Sequence, residues 1–595
     1  MTVVALSVLV PVVAGTFLSL TASLERRRVA AAVAVLTAVA ALVLVAVTLS
    51  HVGGGRMIVW WGGWAPSGRV VGIDFAIDPI GAGLALFVTA LAVPTLLMSG
   101  YVIRSSAQLF FAVCVIFVAA MVAYCLTGDL FDLFVFFELM SVSAYVLVGY
   151  EIRSRAPLEG ALTFAITNSV GSILLLLGIA LVYGRTGALN LAQVGRALEA
   201  VGPSGIVFVA FALIATGLLV KAAVVPFHFW TADAYGVAPT PVLILLGGVF
   251  SELGLYGFAR VYWTAFEPVL GAHHDAMLAI FVSLGLLTGL VGGGMALAQH
   301  HLKRMLAFVV VSQIGLFLIG IGFLSEDGLA GTAIFVVGDG LAKAALFICV
   351  GVVQHRFDAV EEWPLHGRAR SLWPLGVVYA VAALTVADLP PWGAFTGKAL
   401  IEDAALKEGW WWVPAVMALI SALAAGALLR AGARVFAGWG EPAREDSQFV
   451  EPDAGDDVEE AVRVRGPGII AGVLVVASLA WGVLPGLVDS VARAATRFTD
   501  TAGYAANVLG GAAPAPVLAT TVEGPGATAY LYAAATLAGA LGIAALAVAD
   551  RRLPAAAMRA VHGVRALHSG HPGDYVAWTG AGAVILAGLF ALTMG

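Results

Sequence analysis

Apolar runs of about eighteen or more residues recur from one end of this chain to the other, which commits it to crossing a bilayer many times. Sixteen candidate helices are read at 2–21, 29–49, 75–100, 107–127, 129–150, 158–183, 204–226, 238–263, 274–298, 303–324, 328–353, 371–393, 411–437, 467–488, 527–549 and 573–593. Each is long enough for a hydrocarbon core of ~30 Å at ~1.5 Å per residue. Composition closes the alternatives. Only 11% of residues are charged and 61% are hydrophobic, whereas a soluble domain carries about 25% charged residues. A disordered chain needs low hydrophobicity and high net charge. The net charge of −6 gives no reason to expect nucleic acid as a partner.

Loop charges predict the orientation. Arg26, Arg27 and Arg28 follow the first apolar run rather than precede it, the polarity of a spanning helix and not of a cleaved signal. With loops assigned alternately to two sides, twenty Lys and Arg residues fall on one side and eight on the other. The positive-inside rule then places both termini outside the plasma membrane of a prokaryote. The longest polar stretch, 439–466, reads as a solvated acidic loop on the cytoplasmic side, and Trp60, Trp61 and Trp64 as an interfacial anchor. Cys114, Cys125 and Cys349 lie in spans without metal or redox spacing, so no cofactor or resident metal is expected.

The charges inside the spans carry the functional reading. Glu138 stands nine residues after Asp129, about 14 Å into its helix. A carboxylate there costs roughly 2.5–3.5 kcal/mol on insertion, so it must be protonated, paired or hydrated. Lys221 is its expected partner. Pro226, five residues on, lacks an N–H and breaks the helix, and a break in lipid requires protein or water to satisfy the freed carbonyl. Pro390-Pro391 followed by Lys398 repeats the device with the order reversed, which suits inverted repeats. Asp339 and Lys343 are four apart, on one face of a helix. Glu252 and Asp388 complete a set of four carboxylates against three lysines. The surplus negative charge calls for a shared proton or a small cation, with Asp132 and Asp388 as cation contacts. Such a row suits a proton relay, in which one charge alters the protonation of the next. His228, just past the first break, is expected to carry protons between relay and bulk.

Several segments match a known pattern together. They are Thr127-Gly-Asp-Leu-Phe-Asp-Leu-Phe-Val-Phe-Phe-Glu138, Lys221-Ala-Ala-Val-Val-Pro-Phe-His-Phe-Trp230, Ala238-Pro-Thr-Pro-Val242, Leu302-Lys-Arg-Met-Leu-Ala-Phe308, Lys343-Ala-Ala-Leu-Phe347 and Leu389-Pro-Pro-Trp-Gly-Ala-Phe-Thr-Gly-Lys398. Over about 75–440 the chain resembles the proton-translocating antiporter-like subunits shared by Mrp-type Na⁺/H⁺ antiporters, complex I and membrane-bound hydrogenases. The first segment is closest to the D-type Mrp subunits. The resemblance implies an all-α polytopic protein of about 14–16 transmembrane helices, its core two inverted five-helix repeats with broken helices. It makes Glu138 and Lys221 the coupling pair, Lys343 the central relay lysine and Lys398 the terminal one. There are departures. Many members have Lys where Glu252 stands, His where Asp339 stands, Gly where Asp388 stands and His where Tyr235 stands; the D-type Mrp subunits usually have Asn where Asp132 stands.

The expected organisation is 1–106 for helices 1–3, 107–265 and 266–438 for the two repeats, 439–466 for the acidic loop and 467–595 for C-terminal helices. The leading functional expectation is the proton-translocating subunit of a multi-subunit cation/proton antiporter. It would work with other membrane subunits on protons and Na⁺, through Glu138, Lys221, Glu252, Asp339, Lys343 and Lys398. The alternatives are the pumping arm of a redox complex, a subunit for inorganic-carbon uptake, and a paralogue that no longer transports.

Overall fold

In lipid each backbone polar group needs a partner within the protein, and helices satisfy their own. The computed structural model describes residues 2–53, 55–64, 72–104, 106–151, 154–441, 465–510, 524–549, 563 and 567–594. Most of the expected acidic loop, 442–464, lies outside the described residues. Among them, fourteen helical stretches are long and apolar enough to cross a membrane. One, Thr240–Ala298, holds two crossings, and the broken pair Gly205–Lys221 and Phe229–Val237 adds another. These account for the sixteen spans expected.

The first half of the chain forms α1 (Thr2–Leu20), α2 (Arg27–Val52), α3 (Pro79–Val102), α4 (Ala107–Leu126), α5 (Leu130–Val148) and α6 (Arg155–Thr186). A short amphipathic α7 (Leu191–Val201) precedes α8 (Gly205–Lys221), α9 (Phe229–Val237), α10 (Thr240–Leu245), α11 (Ser251–Val261) and α12 (Glu267–Leu270). The second half continues as α13 (His274–Ala298), α14 (Leu302–Gly322), α15 (Glu326–Phe357), α16 (Trp373–Val386), α17 (Gly393–Lys407) and α18 (Val413–Gly432). Then come α19 (Arg465–Gly482), α20 (Leu487–Thr499), α21 (Thr501–Leu509), α22 (Ala527–Val548) and the C-terminal helix Pro572–Met594.

Helix starts are set by acceptors that take the free N–H groups of the first turn. Asp78 accepts from Gly81 ahead of α3, Asp129 from Phe131 and Asp132 ahead of α5, and Ser325 from Gly328 ahead of α15. Two expectations are corrected. The span read from 75 begins instead as a strand, Asp74–Ile77, paired antiparallel with Met57–Trp60, because Pro79 and the Asp78 cap hold the helix back to Pro79. The span read as 371–393 is a broken helix whose second half, α17, carries Lys398.

The core lies at α14, which is buried on every face apart from Arg304, and at α4 and α15. In contrast α1, α2, α22 and the C-terminal helix turn Leu, Val and Ile residues outward, as lipid-facing helices do.

Candidate functional site: a row of buried lysines and carboxylates

Each break has the same local construction. α8 ends at Lys221, Ala223 takes a left-handed φ of 59°, and Pro226 follows three residues later. α16 ends at Val386, Asp388 takes φ 54°, and Pro391 follows three residues later. The residue before a proline is pushed out of the helical region, so the chain leaves the helix ahead of it. At the first break the freed Val225 N–H donates to Thr288 Oγ1 at 3.1 Å and Trp230 Nε1 donates to the Val220 carbonyl at 3.0 Å.

Lys221 is fully buried at the end of α8. Its ammonium donates to Ser141 Oγ on α5 and faces the rings of Phe137 and Phe250 at 4.3 and 4.5 Å. The direct pair expected with Glu138 is not formed. Ser141, one turn beyond Glu138, takes the ammonium, and Glu138 is half-buried with Oε1 lacking a hydrogen-bond partner. Glu138 acts on Lys221 through space.

The centre is built where two helices meet closely. Residues Leu246–Phe250 form a π-helical turn before α11. A Cβ on Gly340 would run into the Gly248 carbonyl oxygen, so Gly340 must stay bare for α15 to approach. The approach puts Lys343 Nζ 2.7 Å from Glu252 Oε1 and 2.8 Å from Asp339 Oδ2. All three are buried, and the trio carries a formal charge of −1. Tyr235, where the family pattern has histidine, donates to the Leu246 carbonyl at 2.6 Å.

In the second half Lys398 Nζ sits 3.0 Å from Asp388 Oδ2 and donates to Ser421 Oγ at 2.9 Å, while Ser421 donates to Asp388 Oδ2 at 2.5 Å. Asp388 is therefore the counter-ion of Lys398. Asp132, half-buried at the start of α5, accepts from Thr127 Oγ1 at 3.1 Å. The described residues hold no group of three or more metal-ligating side chains.

His228 is buried in the first break, and neither ring nitrogen has a hydrogen-bond partner among the described residues. Sequence reasoning missed its neighbours. The His568 ring lies 5.1 Å away, and Tyr575 stacks on Phe229 at 5.1 Å while donating to Asp233 Oδ2 at 3.1 Å. The C-terminal helix thus covers the break. It missed Ser141 and Ser421 too, and also Glu402, buried on α17 one turn beyond Lys398.

Further ion pairs sit at the ends of the spans. Arg260, Arg430 and Arg434 lie in helical segments and are buried. Arg260 pairs with Asp78 at 2.5 Å. Glu362 pairs with Arg430 at 2.6 Å, Arg434 at 3.1 Å and His300 at 3.4 Å. Burial pushes the Glu362 carboxyl up, but Arg430, His300 and Arg434 together hold it below the usual glutamate range. Asp74 pairs with no arginine among the described residues. It accepts from Asn190 Nδ2 at 2.7 Å, and burial with Asp129 nearby pushes its carboxyl up to about 7.

Comparison with known proteins converges on one family. The family described as NADH:quinone oxidoreductase/Mrp antiporter, TM, matches residues 127–424, half of the chain and the part that holds the whole lysine–carboxylate row. The N-type subunit of the NADH-quinone oxidoreductase of Desulforudis audaxviator is 31% identical over 371 residues, 61% of this chain and 72% of that one. The D-type subunit of the Na(+)/H(+) antiporter of Alkalihalophilus pseudofirmus is 27% identical over 450 residues, 75% and 88% of the two chains. Among solved structures, a chain of the Mrp complex from Dietzia sp. superposes with a TM-score of 0.75 at 26% identity, over 86% of this chain and 100% of that one. A chain of the archaeal membrane-bound sulfane sulfur reductase shares the fold, with a TM-score of 0.75 at 23% identity over the same shares.

Proposed function

This chain belongs to the NADH:quinone oxidoreductase/Mrp antiporter membrane family, and from that premise we propose that it moves protons as a subunit of a multi-subunit cation/proton antiporter. The relay runs from Glu138 and Lys221 through Glu252, Lys343 and Asp339 to Asp388 and Lys398. The observation that carries this reading is the graded environment of the three lysines. Lys221 meets a neutral serine and two rings, Lys343 lies between two carboxylates, and Lys398 has one carboxylate. A proton gained or lost at one lysine changes the charge felt by the next carboxylate, which couples the protonation steps. One charge crossing 100 mV is worth about 2.3 kcal/mol, so a membrane potential or an ion gradient can drive the relay.

Na⁺ is the proposed counter-ion, and other membrane subunits are the proposed partners, as the names of the relatives suggest. The two termini lie outside, by the loop-charge bias. The matching breaks at Ala223 and Asp388 support two repeats, 107–265 and 266–438. A second reading, the proton-pumping arm of a redox complex, is favoured by the relatives among NADH-quinone oxidoreductase subunits. Purification of the intact complex separates them. Na⁺-dependent proton flux without an electron donor supports antiport. Flux that requires an electron donor supports the redox reading.

A further inference from the structure

The relay as described ends on Lys398, yet α17 carries a further buried acid. Glu402 lies one turn beyond Lys398 on the same face of the helix, only 4% exposed. It makes no ion pair or side-chain hydrogen bond among the described residues, and it interacts electrostatically with both Lys398 and Asp388. With Glu402 included, the row holds five carboxylates, the half-buried Glu138 and the buried Glu252, Asp339, Asp388 and Glu402, against three lysines. Two negative charges are left over, which a water-poor interior does not hold ionised. Glu252, Asp339 and Asp388 each have a lysine Nζ within 3.0 Å. Glu138 and Glu402 do not, so the surplus matches the two unpaired groups, which stand at opposite ends of the row.

Beyond Glu402 the helix runs five more residues, about 7.5 Å, to Lys407. That side chain is exposed and bridges Asp327 at 2.6 Å and Asp403 at 2.8 Å. Glu402 is therefore placed between the last relay lysine and a hydrated polar surface, which lies outside in the proposed orientation.

We propose that Glu402 is the terminal proton-exchange group of the chain, taking a proton from Lys398 and releasing it at the outer surface. The step balances within the pair. The resting Glu402 acid first loses its proton to surface water and becomes a carboxylate. The Lys398 ammonium then gives one proton to that carboxylate, restoring the neutral acid and leaving a neutral amine, which the preceding relay group reprotonates. The reverse sequence serves uptake from outside.

The inference rests on the proton relay proposed above, and its test keeps the two apart. Glu402→Gln, Glu402→Asp and Lys221→Ala are compared in the intact complex by ΔpH formation across a range of external pH. The infrared carboxylic-acid C=O band is recorded for the Gln variant. The expected result is a loss of roughly a hundredfold for Glu402→Gln. Glu402→Asp is expected to transport with a displaced pH profile, and one protonated-carboxyl band is expected to vanish in Glu402→Gln. Full transport by Glu402→Gln with an unmoved pH profile, while Lys221→Ala is inactive, overturns the role of Glu402 and leaves the relay standing. Full transport by both Glu402→Gln and Lys221→Ala overturns the relay itself. Should Glu402→Gln fail to assemble, an unmoved pH profile in Glu402→Asp overturns the inference.

Discussion

Lys343 on α15 donates to Glu252 on α11 at 2.7 Å, so the central lysine of the second half of the row is held by a carboxylate of the first. Lys343 also meets Asp339 on its own helix, at 2.8 Å. Removing the lysine leaves two buried carboxylates facing each other. Lys343→Met is expected to cost about 3–5 kcal/mol and to abolish transport. Glu252→Lys, the residue many relatives carry there, places two ammonium groups together and is expected to lower the melting temperature of the detergent-solubilised complex. A double variant, Glu252→Lys with Lys343→Glu, restores one cation–anion contact and is expected to recover part of that loss.

The two outer lysines are held differently, which predicts unequal effects of equal substitutions. Lys221 has Ser141 as its polar partner, whereas Lys398 has Asp388 as well as Ser421. Ser141→Ala therefore leaves a buried ammonium with no hydrogen-bond acceptor in contact, only aromatic faces and the more distant Glu138, and is expected to lose transport strongly. Ser421→Ala leaves the Lys398–Asp388 pair in place and is expected to cost about 1 kcal/mol with modest loss of rate. Equal loss in both variants, read by ΔpH formation, would contradict this account of the two lysines.

How much of this was legible in the sequence follows from the range of each interaction. The Asp339–Lys343 pair was readable from its spacing, because four residues bring two side chains to one helix face. The tie from Lys343 to Glu252 depends on Gly248 and Gly340 letting two helices touch, a tertiary fact with no local spacing. The expected Glu138–Lys221 pair failed because Ser141, a turn further along α5, reaches the ammonium instead. Glu402 was hidden for another reason. The span read as 371–393 stopped short of it, and only the broken helix carries the chain on through α17, where the acid stands four residues after Lys398. His568 and Tyr575 reach the first break only through packing of the C-terminal helix.

That packing is tight enough to test. A Cβ on Gly582 would lie 2.5 Å from the Phe227 ring and 2.7 Å from Pro226. Gly582→Leu is expected to push the C-terminal helix off the break, raising hydrogen exchange at residues 222–228 and slowing transport. Tyr575→Phe removes the bond to Asp233 and is expected to do the same more mildly, at about 1 kcal/mol. Unchanged exchange in the leucine variant would show that the helix does not hold the break.

Asp74 predicts a pH dependence at the opposite end of the first half. Burial raises its carboxyl to about 7 in the fold, above its ordinary 3.8. The stabilisation linked to its protonation is therefore complete below the unfolded value and is lost as pH rises through about 7. Asp74→Asn keeps the acceptor for Asn190 and cannot ionise. Melting curves are expected to show the variant more stable than the parent at pH 8, by about 3 kcal/mol relative to their difference at pH 5. A parent whose stability is flat between those values would contradict the assignment.

The relay itself is tested most directly at Lys221, which is buried, uncovered by any carboxylate contact and placed at the first break. The measurement is ΔpH formation by the intact complex carrying Lys221→Ala, with assembly verified. The account predicts proton transport at the background level. Transport at the rate of the unsubstituted complex would contradict it.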